Sequence, residues 1–309
     1  MANADFVKGL EGVIAAESSI CFIDGHAGRL TYRGIDIQDL AEHSTFEETC
    51  YFLLFGNLPK QAELDAFKAE LAAGSVVPDE VMALVRSLPK ETTPMDALRT
   101  AVSALGSYDP DALDNSDAAN VRKAVRLIGQ VTTLTTSFDR IRKGLDPIAP
   151  RQDYTVAENF LYTLHGEAPH PSSARVFDVC LILHADHELN ASTFAGRVIA
   201  STFTNESGVS AVHAAATGAI GALAGPLHGG ANQRVMEMLL KIGDLDAVDA
   251  FIDDLFANKK KVMGFGHRVY RTIDPRATVL RSFAKKLGED TGNSKWFEMC
   301  EKIEKLVSA

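Results

Sequence analysis

From Ile37 onward, apolar side chains return every three or four positions and the runs stop at glycine or proline. A chain patterned this way can bury its apolar stripes only as helices packed on helices. Thr45 is placed to cap a helix carrying Phe46, Cys50, Leu53 and Leu54, stopped by Gly56. The same logic predicts helices over 60–73, 81–88, 95–105 and 118–142, with residues 106–115 as a loop. Thr155 caps another that ends at Gly166, and 174–189, apolar nearly all round, predicts a buried central helix. Residues 211–225 are crowded with alanine and glycine, which permits close helix approach, and helices resume over 232–242, 247–257 and 295–307. Strand signals are confined to 9–37, where Ser19–Ile23 and Arg29–Arg33 flank Asp24-Gly25 and Ala27-Gly28 as a small hairpin. The expected class is all-α, with one N-terminal β-hairpin.

Length adds a second constraint. A chain of 309 residues has room for two domains, and the glycines at 225–230 mark the natural break. The expected division is 1–228 and 229–309. A formal charge of −10 argues against a nucleic-acid partner. No uninterrupted apolar run is long enough for a membrane span, and the N-terminus lacks a signal-peptide core, so the expected compartment is the cytoplasm. Cys21, Cys50, Cys180 and Cys300 form no CxxC pair and read as reduced, mostly packed thiols.

Three short histidine-bearing segments carry the chemistry: His184-Ala-Asp-His-Glu188, Gly225-Pro-Leu-His-Gly-Gly-Ala-Asn232, and Gly264-Phe-Gly-His-Arg268 followed by Asp274-Pro-Arg276. A fold that joined His187, His228 and His267 with Arg276 would surround a small anion with imidazoles and a guanidinium. On one helix, His184 and His187 would share a face, which raises a metal reading. The spacing is neither HExxH nor HxxEH and no second ligand cluster follows, so His184 reads better as a hydrogen-bonded core residue. His228 sits where Pro226 and Gly229-Gly230 bend the backbone, and a loop imidazole there can face a cleft or merely accompany a turn. Around His267, Gly264 and Gly266 allow backbone N–H groups to approach an anion. Lys259, Lys260, Lys261, Arg268 and Arg271 add positive charge, favouring a phosphate-bearing ligand over a plain solvated face. The turn is neither a Walker A loop nor GxGxxG.

Together these three segments resemble the signature blocks of the citrate synthase family, and Gly9-Leu-Glu-Gly-Val13 with Leu30-Thr-Tyr-Arg-Gly-Ile-Asp36 resembles the N-terminal part of its shorter prokaryotic members. The likeness runs in order along essentially the whole chain. It implies a two-domain helical protein, a homodimer or a dimer-based assembly such as a hexamer, whose small domain begins near Gly229 and closes over the substrates. It implies condensation of oxaloacetate with acetyl-CoA, the latter a co-substrate, with no covalently bound cofactor and no metal. By position, His228 resembles the residue that hydrogen-bonds the thioester carbonyl, and His267 the one that donates to the oxaloacetate carbonyl. His187 and Arg276 are similar to oxaloacetate ligands. Lys259, Lys260, Lys261, Val262, Gly264, Phe265, Gly266 and Arg271 are similar to the segment that holds CoA.

One departure is plain. The family's proton-abstracting aspartate belongs to a later block reading like Asn-Val-Asp-Phe-Tyr, absent from these residues, as are two further oxaloacetate arginines. The expectation is a longer protein whose remaining helices follow Ala309, because losing them would expose apolar surface. Asp274 is not a substitute, since Pro275 and Arg276 give it a structural setting. Two alternatives stand beside the main reading: a 2-methylcitrate synthase using propionyl-CoA, and a non-catalytic homologue serving as an assembly subunit.

Overall fold

The computed structural model describes residues 16–226, 228–266 and 270–308. Strands β1 (Cys21–Asp24), β2 (Arg29–Tyr32) and β3 (Ile35–Asp36) form an antiparallel sheet in the order β1-β2-β3. The hairpin is therefore extended by a two-residue third strand. Fourteen α-helices follow among the described residues. The first four are α1 (Ile37–His43), α2 (Phe46–Phe55), α3 (Gln61–Gly74) and α4 (Asp79–Ser87). Next come α5 (Pro94–Tyr108), α6 (Asp117–Arg142), α7 (Val156–His165), α8 (Pro171–His184), α9 (Ala191–Ala200) and α10 (Ala211–Leu223). The last four are α11 (Gly230–Ile242), α12 (Val248–Ala257), α13 (Pro275–Thr291) and α14 (Lys295–Ser308).

The expected caps are in place. Thr45 accepts from the Glu48 amide, Thr155 from that of Glu158, and Gly56 and Gly166 close their helices in the left-handed conformation. Gly106 is different. It lies inside α5, and a β-carbon there would come within 3.0 Å of the His213 Cβ on α10. The expected stop is a notch for a neighbouring helix.

Two expectations about α8 also change. The helix ends at His184, five residues before Leu189, and only one face is buried, through Ala174, Asp178, Val179, Ile182 and Leu183. Val176, Phe177 and Cys180 instead line a hollow of about 450 Å³ with Leu161 and Leu287. His184 is exposed, its Nδ1 2.6 Å from the Cys180 carbonyl oxygen, so it is hydrogen-bonded but not a core residue. Cys21 and Cys50 are buried as expected, while Cys300 is exposed.

Distinct cores organise the chain. One joins Leu30, Tyr32, Ile37 and Phe52 to Val179, Ile182 and Leu183 of α8. A second gathers α4, α5 and α6, with Val212, Ala216 and Ile220 of α10 packed against it. A third holds Met238, Leu239, Ile242, Val248, Ile252, Val262, Met299 and Ile303 of the C-terminal elements. Helix α13 bridges: Val279, Leu280 and Phe283 pack on the first core, while Arg281 pairs with Glu301 and Glu304 of α14. No described helix is long and apolar enough to cross a membrane.

Candidate active site

The site is built on residues 185–192, between α8 and α9. Helix α8 ends at His184, and the turn that follows is held from a distance. The hydroxyl of the fully buried Tyr32 accepts from the Asp186 amide at 3.2 Å and lies 3.0 Å from the carbonyl oxygens of Ile182 and Asp186. Glu188 follows with a φ of 56°. That left-handed backbone costs a non-glycine residue roughly 1–2 kcal/mol. Its carboxylate accepts from the Ile23 amide at 2.8 Å, and its own amide donates to Asp186 Oδ1 at 2.9 Å. Burial, with the Asp186 carboxylate next in order, pushes the Cys21 thiol beneath this turn up to about 12.

Between these anchors sits His187. Its Nε2 lies 3.2 Å from the Tyr270 hydroxyl, and the two rings meet edge-on at 5.7 Å. Burial first, then the charge of Asp274, pushes the Tyr270 phenol up to about 12, so it meets the imidazole as a neutral hydroxyl at ordinary pH. Six residues further along the chain from Asp186, the start of α9 supplies the second anchor. Asn190 Oδ1 accepts from the amides of Ser192 and Thr193, and also from the Ser192 hydroxyl at 2.7 Å. The same hydroxyl lies 2.9 Å from His228 Nε2.

His228 is delivered by the turn between α10 and α11. Its amide donates to the Gly225 carbonyl and that of Gly229 to Leu223. A β-carbon at Gly229 would sit 2.6 Å from Leu223, so glycine is required by the close approach. Arg276, in the first turn of α13, is gripped by Asp274: Nε to Oδ1 at 3.0 Å and a terminal nitrogen to Oδ2 at 2.7 Å. Asp274 also caps α13 by accepting from the Arg276 amide. This is the structural setting expected for it.

The remaining sequence candidates divide. Lys259, Lys260, Lys261, Gly264, Phe265, Gly266 and Arg271 are exposed on the segment between α12 and α13. Gly264 and Gly266 have φ of 91° and 82°, as does Lys259 at 52°, all left-handed. Val262 turns into the C-terminal core, leaving its backbone for any ligand. His267 and Arg268 lie outside the described residues. The metal reading fails on geometry, because the end of α8 separates His184 from His187 and the shared helical face does not exist. Among the described residues no group of three or more metal-ligating side chains converges.

Sequence reasoning missed Tyr270, Ser192, Asn190 and Tyr32. Asn190 and Ser192 were findable from the Asn-x-Ser spacing of a helix cap. Nothing local announces Tyr32 or Tyr270, whose roles arise only by tertiary contact.

The family described as "Citrate synthase, C-terminal domain" matches residues 9–309. A protein named "Citrate synthase 2" from Bacillus subtilis (strain 168) is 48% identical over 98% of this chain and 79% of its own length. "Citrate synthase" from Deinococcus radiodurans is 46% identical over the same shares, 98% and 79%. A "Citrate/2-methylcitrate synthase" from Bacillus subtilis stands at 38%, over 98% of this chain and 80% of its own length. A solved structure of citrate synthase from Thermoplasma acidophilum, in a ternary complex with carboxymethyl coenzyme A and oxaloacetate, superposes with a TM-score of 0.88 at 33% identity, covering 97% of this chain and 77% of that one. The relatives define an acyltransferase, and the fold is mainly helical with one small sheet. The chain belongs to the citrate synthase family.

Proposed function

We propose that the protein condenses acetyl-CoA with oxaloacetate to give citrate and CoA. The observation that carries this reading is the placement of His187 and His228 at opposite ends of residues 187–192, one against Tyr270 and the other against Ser192. A base removes a proton from the thioester methyl, the enol carbon bonds to the keto carbon of oxaloacetate, and water then cleaves the thioester. The first step needs a donor aimed at the oxygen where charge develops. His228 suits it. Asn190 Oδ1 already accepts from two amides, so the Ser192 hydroxyl can turn to donate to His228 Nε2 without leaving that oxygen unpaired. The proton then sits on Nδ1, directed at the thioester carbonyl.

His187 and Arg276 hold the oxaloacetate dianion, Arg276 exchanging part of its grip on Asp274 for a bidentate contact with a carboxylate. His267 donates to the carbonyl under attack. The exposed lysines 259–261, Arg271 and the backbone of 262–266 receive the CoA phosphates and adenine. By resemblance to the family, the base is an aspartate of a later block that does not occur among these residues; here Asp186 takes the Glu188 amide and Asp274 holds Arg276.

Residues 1–228 form the large domain and 229–309 the small one, closing at the turn through Gly229 to exclude water from the enol. The protein works in the cytoplasm as a homodimer or dimer-based assembly, with no bound cofactor. Helix α9 supports the dimer: it fully buries no residue within the chain, and its Phe194 and Val198 stay exposed, as does Leu223 of α10. Acetyl-CoA is preferred over propionyl-CoA, since the relatives named citrate synthase at 46–48% identity stand nearer than the dual-named one. The test is thiol release by the intact protein. It should require oxaloacetate and show a higher kcat/KM for acetyl-CoA than for propionyl-CoA; the opposite order would make it a 2-methylcitrate synthase.

A further inference from the structure

The N-terminal sheet touches both walls of the oxaloacetate site. Its edge strand β1 leaves the Ile23 amide pointing outward, where the Glu188 carboxylate accepts it at 2.8 Å. From β2, the Tyr32 hydroxyl reaches the Asp186 amide and the Ile182 and Asp186 carbonyls. The residues on either side of His187 are thus tied to one hairpin. The same hairpin reaches the opposite wall. Gly25 accepts from the Arg271 amide at 2.8 Å, beside Tyr270. A β-carbon on Gly28, whose φ is 63°, would come within 2.8 Å of Thr272 and 3.0 Å of the Ile273 carbonyl oxygen.

We propose that Tyr32 and Glu188 are positioning residues for oxaloacetate binding: they clamp the 185–188 turn to the hairpin and so fix His187 against Tyr270. The inference rests on the assignment of His187 as an oxaloacetate ligand. Its distinctive feature is the left-handed backbone at Glu188. Glycine would take that conformation without strain, so glutamate at this place is explained by what its carboxylate holds. A hydroxyl inside a fully buried ring position is explained the same way. Phenylalanine would fill the volume of Tyr32 but leave the Asp186 amide without its partner. The thioester side is anchored separately, through Ser192 and His228, and the clamp does not reach it.

The experiment compares Tyr32→Phe, Glu188→Gly, Glu188→Gln and His187→Ala in the intact protein, by calorimetric oxaloacetate affinity, both KM values and melting temperature. Tyr32→Phe and Glu188→Gly should each weaken oxaloacetate about tenfold, the loss of one buried hydrogen bond's worth of alignment. The KM for acetyl-CoA should stay within about twofold. Glu188→Gly removes the strained backbone, so its melting temperature should hold while oxaloacetate affinity falls about tenfold. Glu188→Gln keeps an acceptor for Ile23 and should rescue. A purely structural role would instead lower stability with oxaloacetate affinity unchanged, which overturns the proposal. Unchanged affinity in His187→Ala would remove the assignment beneath it. Weakened His187→Ala beside normal Tyr32→Phe and Glu188→Gly would overturn the clamp alone.

Discussion

The two sides of the site are built by different means. On the side proposed to bind oxaloacetate, His187 and Arg276 are held by buried or half-buried groups: Tyr270 for one and Asp274 for the other, with Tyr32 and Glu188 behind His187. On the side proposed to bind CoA, the three lysines and the glycine turn stand exposed on a segment rooted in a separate core through Val262. The contrast suits the ligands. A small dianion offers few atoms, so its recognition needs donors fixed before binding. A long cofactor-like substrate brings phosphates that exposed charges can meet with little preorganisation. Helix α13 connects the sides, resting Phe283 on the first core and pairing Arg281 with α14.

The largest effect that can break this comparison is on chemistry. His228→Ala removes the donor to the thioester carbonyl and should lower kcat by about 10²–10³. Steady-state kinetics checks it, and a loss confined to KM would place His228 in binding alone. Next comes stability. Met299 is fully buried in the C-terminal core, so Met299→Ala should cost about 2–5 kcal/mol. Denaturant unfolding followed by separate probes in the two regions should show the C-terminal transition moving more than that of the first core. Equal shifts would mean one cooperative unit. The smallest effect belongs to the lysines. Replacing Lys259, Lys260 and Lys261 together with alanine should raise the KM for acetyl-CoA only several-fold, because exposed ion pairs are each worth about 0–1 kcal/mol. The difference from wild type should shrink as salt rises.

Much of the fold was legible because its signals are local. Thr45 with Gly56, and Thr155 with Gly166, announce two helices from both ends. Where tertiary contact decides, the sequence misleads. Gly106 resembles a stop and is a groove for His213. The end of α8 carries no glycine or proline; it is set by Tyr32, 154 positions from Asp186. Helix α9 is not legible in the sequence because none of its residues is fully buried within the chain. Its inner face of Ser192, Thr193, Ala195, Gly196 and Ile199 is only half-buried and mostly small. At the site, histidines flanked by glycine or carboxylate stand out in one dimension. The partners that orient them, Tyr270 and Ser192, do not, since hydroxyl residues are common and only distance makes them matter.

The proposed division of labour gives oxaloacetate to His187 and Arg276 and the thioester to His228. Calorimetric titration of oxaloacetate into intact His228→Ala and Arg276→Leu, without CoA, addresses it most directly. Arg276→Leu should weaken binding by about 10–100-fold, the range for a charge-assisted hydrogen bond, while His228→Ala stays within about twofold of wild type. If His228→Ala weakens oxaloacetate as much as Arg276→Leu does, the two halves are one site and the division is wrong.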